Sequence, residues 1–261
     1  MIEEPYRWVE AIANRREYVE NQLSGGSPIA ALTYRDGILL FTMSRERQKI
    51  FEIYDRIAMG AIGHPGDIER LRMTAIELAS TEGFARSAHD VSLRRLATYS
   101  LSPALKAAFE QIYGPPYLSR LLFAELGRQG APNLYLRLEY DGSMHTNGGA
   151  FGQAFEEFGV ISGTTASTTR MEEYLRGKRH VHANLDDALL LAADAWAIGH
   201  WSLDDDAPKD LPSHADIVRH RDEQLANAAI EAAVLERGDS GPLTWRSLLD
   251  AEVRSILKPK N

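Results

Sequence analysis

Few residues of this chain have types and spacings that suit chemistry. His180 and His182 stand two apart, which in a strand would turn both rings to one face as metal ligands could be, with Asp186 or Asp187 completing a site. No fourth ligand follows at ligand-like spacing, and the pair lies between two helical patterns, where exposed histidines are ordinary. His214 and His220 are six apart, a spacing that suits neither one helical face nor a known ligand pair. The chain has no Gly-rich phosphate loop, no serine-hydrolase elbow and no His-Glu-x-x-His helix. With no cysteine in 261 residues, a disulfide framework, a thiolate metal site and a cysteine nucleophile are excluded as well. Neither a metal nor another cofactor is expected.

What remains is Lys49, at the entrance of the stretch around which the chain is organised, Arg45 to Gly63. Ile50, Ile53 and Ile57 with Phe51 and Tyr54 have the β-branched and aromatic content of strands, and Tyr54-Asp55-Arg56 breaks them, which predicts a hairpin. Ala58-Met59-Gly60-Ala61-Ile62-Gly63 has the composition of a buried strand, and Gly63 ends it with a residue that tolerates a positive φ. Ahead of it, Pro5 to Leu23 carries Val9, Ile12, Arg16, Val19 and Leu23 at helical spacing. Ile29–Tyr34 and Gly37–Thr42 flank an Asp36-Gly37 pair, a hairpin signal.

Beyond Gly63, Asp67 is the expected cap of a helix that Gly83 ends, and Asp90 of a second, which Pro103 interrupts. Tyr117–Leu126, Asn133–Tyr140 and Phe155–Ser162 read as strands. Gly163-Thr164-Thr165 turns into a helix through Arg170 to Leu175, and Asp186 to Trp201 forms another. Residues 202–227 contain Asp204-Asp205-Asp206, Pro208 and Pro212. The acidic part reads as a solvated excursion, followed by a helix from near Ser213 with Ile217, Arg221 and Leu225 on one side. Ile230–Leu235 is expected as a strand and Trp245–Leu257 as a terminal helix. Two strand groups alternating with helix pairs predict an α/β four-layer αββα sandwich, two stacked sheets covered by helices.

The formal net charge of −8 opposes a nucleic-acid surface, since counterion release needs clustered Lys and Arg. Arg176-Gly177-Lys178-Arg179 is only a short solvated cluster. Met1 to Asn14 has no apolar core and no later stretch is apolar enough to span a bilayer, so a cytoplasmic protein without membrane contact is expected.

Five segments in order carry a family resemblance: Glu17-Tyr18, Ala30 to Leu40, Gln48 to Ile57, Tyr140-Asp141-Gly142-Ser143 and Gly163-Thr164-Thr165. Together they resemble the proteasome core-particle subunits, most closely the bacterial α type. The resemblance implies one domain over 1–261, with 1–26 as N-terminal helix and gate segment and 202–227 as an insertion. It implies a non-catalytic subunit in a seven-membered ring, partnered by a β subunit that holds the peptidase, a ring-shaped ATPase activator and unfolded protein substrates. The Tyr-Asp-Arg opening of archaeal α subunits is missing ahead of Glu17, so gate details do not carry over.

Lys49 matches a catalytic-site lysine of β subunits and an activator-docking lysine of α subunits. Having no nucleophile or Asp beside it, it is expected to have no base chemistry to support, and to share a docking pocket between subunits with Glu17 and Gly63. Two alternatives remain. One is a self-processing N-terminal-nucleophile hydrolase cutting at Gly26-Ser27, where Pro28 follows and Phe41-Thr42-Met43-Ser44 replaces the β-type Asp. The other is a proteasome-like scaffold without a protease partner. Gly163-Thr164 resembles a processing bond, but cutting there would split the sheet, and a threonine helix cap explains it.

Overall fold

The computed structural model describes residues 5–45, 48–111, 113–128, 131–147, 156–178, 181–204, 210–237 and 244–257. Helix α1 (Pro5–Leu23) leads into two hairpins, β1 (Ile29–Tyr34) with β2 (Gly37–Ser44) and β3 (Ile50–Tyr54) with β4 (Ile57–Gly63). Then come α2 (Pro65–Ala85), α3 (Leu93–Leu96), a π-helical turn (Ala97–Leu101) and α4 (Ser102–Glu110). Strands β5 (Ser119–Glu125), β6 (Leu134–Leu138), β7 (Met144–Thr146) and β8 (Phe158–Ile161) precede α5 (Thr165–Arg176), α6 (Leu185–Trp201) and α7 (His214–Leu225). The described chain ends with β9 (Ala229–Glu236), β10 (Trp245–Leu248) and α8 (Asp250–Leu257).

The strands form two antiparallel five-stranded sheets, β10-β9-β2-β1-β8 and β3-β4-β5-β6-β7. Three apolar layers separate four layers of structure. Ala30, Leu32, Leu39 and Phe41 pack under α5, α6 and α8; Ile29, Ala31, Ile38 and Leu40 meet Ala58, Ile62, Leu122 and Ala124 between the sheets; Met59, Ala61, Leu121 and Phe123 pack under α2 to α4. This is the expected αββα sandwich. Because both faces of the central strands are covered, β1 is buried at every residue, which is why it reads as an apolar run instead of an alternation.

Several local expectations are corrected. The cap of α2 is His64, whose Nδ1 accepts from Gly66 N at 3.2 Å, while Asp67 lies in the first turn and accepts from Leu118 N at 2.9 Å. Gly83 does not stop α2: the helix runs to Ala85, and a Cβ at Gly83 would stand 2.2 Å from Tyr54 Oη. Ser92, not Asp90, directly precedes α3, and Pro103 sits in the first turn of α4 just after the π-helical turn, so the expected interruption is there. Trp245–Leu248 is not helical but pairs with β9, leaving only Asp250–Leu257 for the helix. The edge strand β7, exposed at all three residues, was not anticipated. Phe155 lies outside the described residues, as do Asp205, Asp206 and Pro208.

Candidate functional site

Lys49 stands where the loop from α1 meets the start of β3. Its carbonyl accepts from Ala61 N at 2.9 Å, which continues the β3–β4 ladder one residue beyond the strand. Two glycines bring the loop close. At Gly26 a Cβ would fall 2.1 Å from Ile62 Cγ2, and at Gly163 one would fall 2.2 Å from Ser24 O. The loop is therefore pressed between the end of β4 and the β8–α5 turn, with Gly163 N donating to Gly26 O at 3.0 Å.

In that position Ser27 receives the lysine. Lys49 Nζ donates to Ser27 O at 2.9 Å and to Ser27 Oγ. An ammonium has three donors, and the third makes no hydrogen bond or ion pair to the described residues. The half-buried amine is pushed down to about 8 by burial, partly offset by the charge of Glu231. Burial raises Glu231 in turn, against the bonds it accepts from the Ile50 and Lys49 amides. These are the two N–H groups at the start of β3, each 2.8 Å from one oxygen of the carboxylate.

The structure thus corrects one expectation: a hydroxyl does stand beside Lys49, because the loop folds Ser27 onto it. Thr42, within the Phe41-to-Ser44 stretch, donates instead to Pro28 O at 2.6 Å. Glu231 was missed by sequence reasoning, although it is the lone charge in the otherwise apolar run Ala229 to Leu235. Gly63 ends β4 two residues after Ala61 with φ at +134°, and a Cβ there would lie 2.0 Å from Leu118 O, so glycine is required. Glu17 is exposed on α1 and makes no hydrogen bond or ion pair to the described residues, unlike its neighbours Arg16 and Glu20. Lys49 and Ser27 therefore come together, Gly63 lies at the adjoining end of the neighbouring strand, two residues past the Ala61 that bonds the Lys49 carbonyl, and Glu17 faces outward.

The histidine candidates separate. His180 lies outside the described residues, His182 and His214 are exposed, and among the described residues no group of three or more His, Cys, Asp or Glu could hold a metal ion. His220 turns inward instead, its Nε2 lying 3.0 Å from His200 Nδ1. Among those residues, too, no helix is long and apolar enough to cross a membrane.

A family model described as "Proteasome subunit" matches residues 24–196. Among curated proteins, "Proteasome subunit alpha" of a Nocardioides species is 32% identical over 238 residues, covering 89% of this chain and 88% of that protein. Its counterpart in Frankia casuarinae is 31% identical, with 87% and 85% covered. The protein of that name from Mycobacterium leprae is 30% identical, with 97% and 86% covered.

Proposed function

Because the chain belongs to the proteasome subunit family, we propose that it is the non-catalytic α-ring subunit of a bacterial proteasome core particle. Seven copies close a ring over a β ring that holds the peptidase, and the opposite face receives a ring-shaped ATPase that feeds unfolded proteins through the entrance. The chain works in the cytoplasm, with α1 on the activator side and 202–227 as an insertion.

The observation that carries the docking role is the Lys49 ammonium, held by two neutral oxygens of Ser27 with one N–H that bonds to none of the described residues. An activator's C-terminal carboxylate suits that donor. Near a protein surface a unit pair about 4 Å apart interacts by roughly 4 kcal/mol before desolvation, and several tails on one ring multiply the effect. Gly63 lets backbone approach, and the exposed Glu17 of the same or a neighbouring copy completes the pocket. Lys49→Ala is expected to leave the α–β particle assembled and its cleavage of small peptides intact, while activator-stimulated degradation is lost. Parent-like stimulation in that variant would refute the docking role.

One observation favours the second reading, a self-processing hydrolase: Lys49 Nζ touches the Ser27 hydroxyl, as a group activating a nucleophile would. Against it stands Pro28, which removes a backbone N–H beside Ser27 and has its carbonyl bonded by Thr42; the reading further requires loss of residues 1–26 to free the Ser27 amine. An intact mass starting at Ser27 would establish that reading, and a mass retaining the N-terminal segment excludes it.

A further inference from the structure

Glu231 joins the two sheets at the proposed docking site. It sits on β9 in the first sheet, opposite Thr42 of β2, while its carboxylate caps the first amides of β3 in the second. Strand β9 lies beyond the residues matched by the family model. A half-buried carboxylate that spends both oxygens on backbone N–H groups forms charge-assisted bonds, and these oppose the burial that raises it. It forms no ion pair with Lys49 Nζ, which among the described residues bonds only to Ser27.

We infer that Glu231 is the positioning residue of the docking site, fixing the backbone at Lys49 and Ile50 while leaving the Lys49 ammonium free for an incoming carboxylate. The inference rests on the docking role assigned to Lys49. Side-chain chemistry explains why a glutamate is needed. Glutamine offers one acceptor oxygen and turns an NH2 toward the second amide, and aspartate is a methylene too short to span the sheets. The charge has a second effect. Burial drives the amine toward its neutral form and Glu231 opposes that, so without Glu231 the lysine deprotonates at a lower pH.

Glu231→Gln and Glu231→Ala in the full chain test this. The first readout needs no activator: NMR of 13C-labelled lysine, with six lysines to assign, follows the Lys49 titration in the isolated chain. The parent is expected to titrate near 8 and Glu231→Gln clearly below. The second readout is binding of an activator C-terminal peptide to assembled particles between pH 6.5 and 9. Binding by Glu231→Gln should be at least tenfold weaker at pH 7.5 and recover toward pH 6.5, where the amine is charged again. If Glu231→Ala does not fold, the near-isosteric Gln variant decides. An unchanged Lys49 midpoint, or docking weakened equally at every pH in step with lost stability, would overturn the proposal and reduce Glu231 to a strand cap. Parent particles that fail to bind the peptide would refute the Lys49 docking role, while the titration would still report whether Glu231 holds the lysine.

Discussion

Arg120 shows how much one side chain can organise at this end of the sandwich. With 3% of the side chain exposed, it donates to Glu139 at 2.7 Å, Glu20 at 3.2 Å, Ser162 O at 2.6 Å and Gly163 O at 3.1 Å. It thereby ties α1, β6 and the β8–α5 turn to β5. Burial would lower its pKa, but the two carboxylates more than compensate and hold it above the ordinary arginine value. Removing one member of a buried pair leaves the others uncompensated and costs about 3–5 kcal/mol. Glu20 retains its bond from Tyr140 Oη at 2.8 Å and is partly solvated, so Arg120→Met is expected at the lower limit, about 3 kcal/mol by urea denaturation. The exposed Arg35–Asp36 pair is the control, since solvent screens it and its loss should be scarcely measurable. Equal costs for the two substitutions would show that burial does not set the value of the Arg120 network.

At the scale of elements, α7 is docked on α6 by polar groups as much as by apolar ones. Arg221 Nη1 meets Asp194 Oδ1 at 2.8 Å, with both side chains below 10% exposed, and Tyr174 Oη donates to the other oxygen at 3.3 Å. Beside this pair, His200 stacks on Trp196 and is hydrogen-bonded to His220, whose ring leans on Trp201. Burial, His220 and Arg45 push His200 down to about 4; burial also lowers His220, against Glu223. A histidine depressed in the fold stabilises it above the free value near 6.5, and that stability is lost as pH falls toward 4. The parent should therefore lose about 2 kcal/mol more than His200→Asn between pH 7.5 and 4.5 in denaturant titrations; parallel losses would remove His200 from the account. The docked face itself was legible, because Ile217, Arg221 and Leu225 fall at four-residue spacing and all three are buried. The hairpins were legible for a similar reason, since Arg35-Asp36 and Tyr54-Asp55-Arg56 interrupt β-rich runs. Strand β10 was not: Trp245 to Leu257 keeps a helical period, and only pairing with a strand formed ten residues earlier decides otherwise. Nor was the contact of Lys49 with Ser27 and Glu231, which are 22 and 182 positions away. Local pattern specifies elements, whereas the site forms only when two sheets stack.

At the scale of the whole molecule, the helices carry more apolar surface than one sandwich buries. The amino-terminal half of α1 leaves the body: Val19 and Leu23 are buried, but Val9 is 61% exposed and Trp8 48%. Over the β3-β4-β5-β6-β7 sheet an open groove of about 560 Å³ runs between α2 and the α3–π-helical segment, lined by Leu78, Ala85, Leu96 and Tyr99, with Glu82 and Arg95 paired across it. Tyr99 is 78% exposed and Phe84, near the carboxyl end of α2, 96%. Two kinds of unfilled surface on different faces are what a heterologous ring with a second ring stacked on it requires, because neighbours in such a ring meet through unlike patches. Exposed aromatics are the usual anchors of such contacts, and truncating one commonly costs about 2 kcal/mol or more of binding. Phe84→Ser combined with Tyr99→Ser is accordingly expected to keep the parent's thermal stability, since neither ring is in the core, and to weaken association with the β-type partner at least tenfold. Light scattering of the chain at micromolar concentration, alone and with that partner, reads the result. The same particle mass for parent and double variant would remove the α2–π-helical face from the inter-ring contact, and a strict monomer for the parent, even with the partner present, would overturn the ring itself.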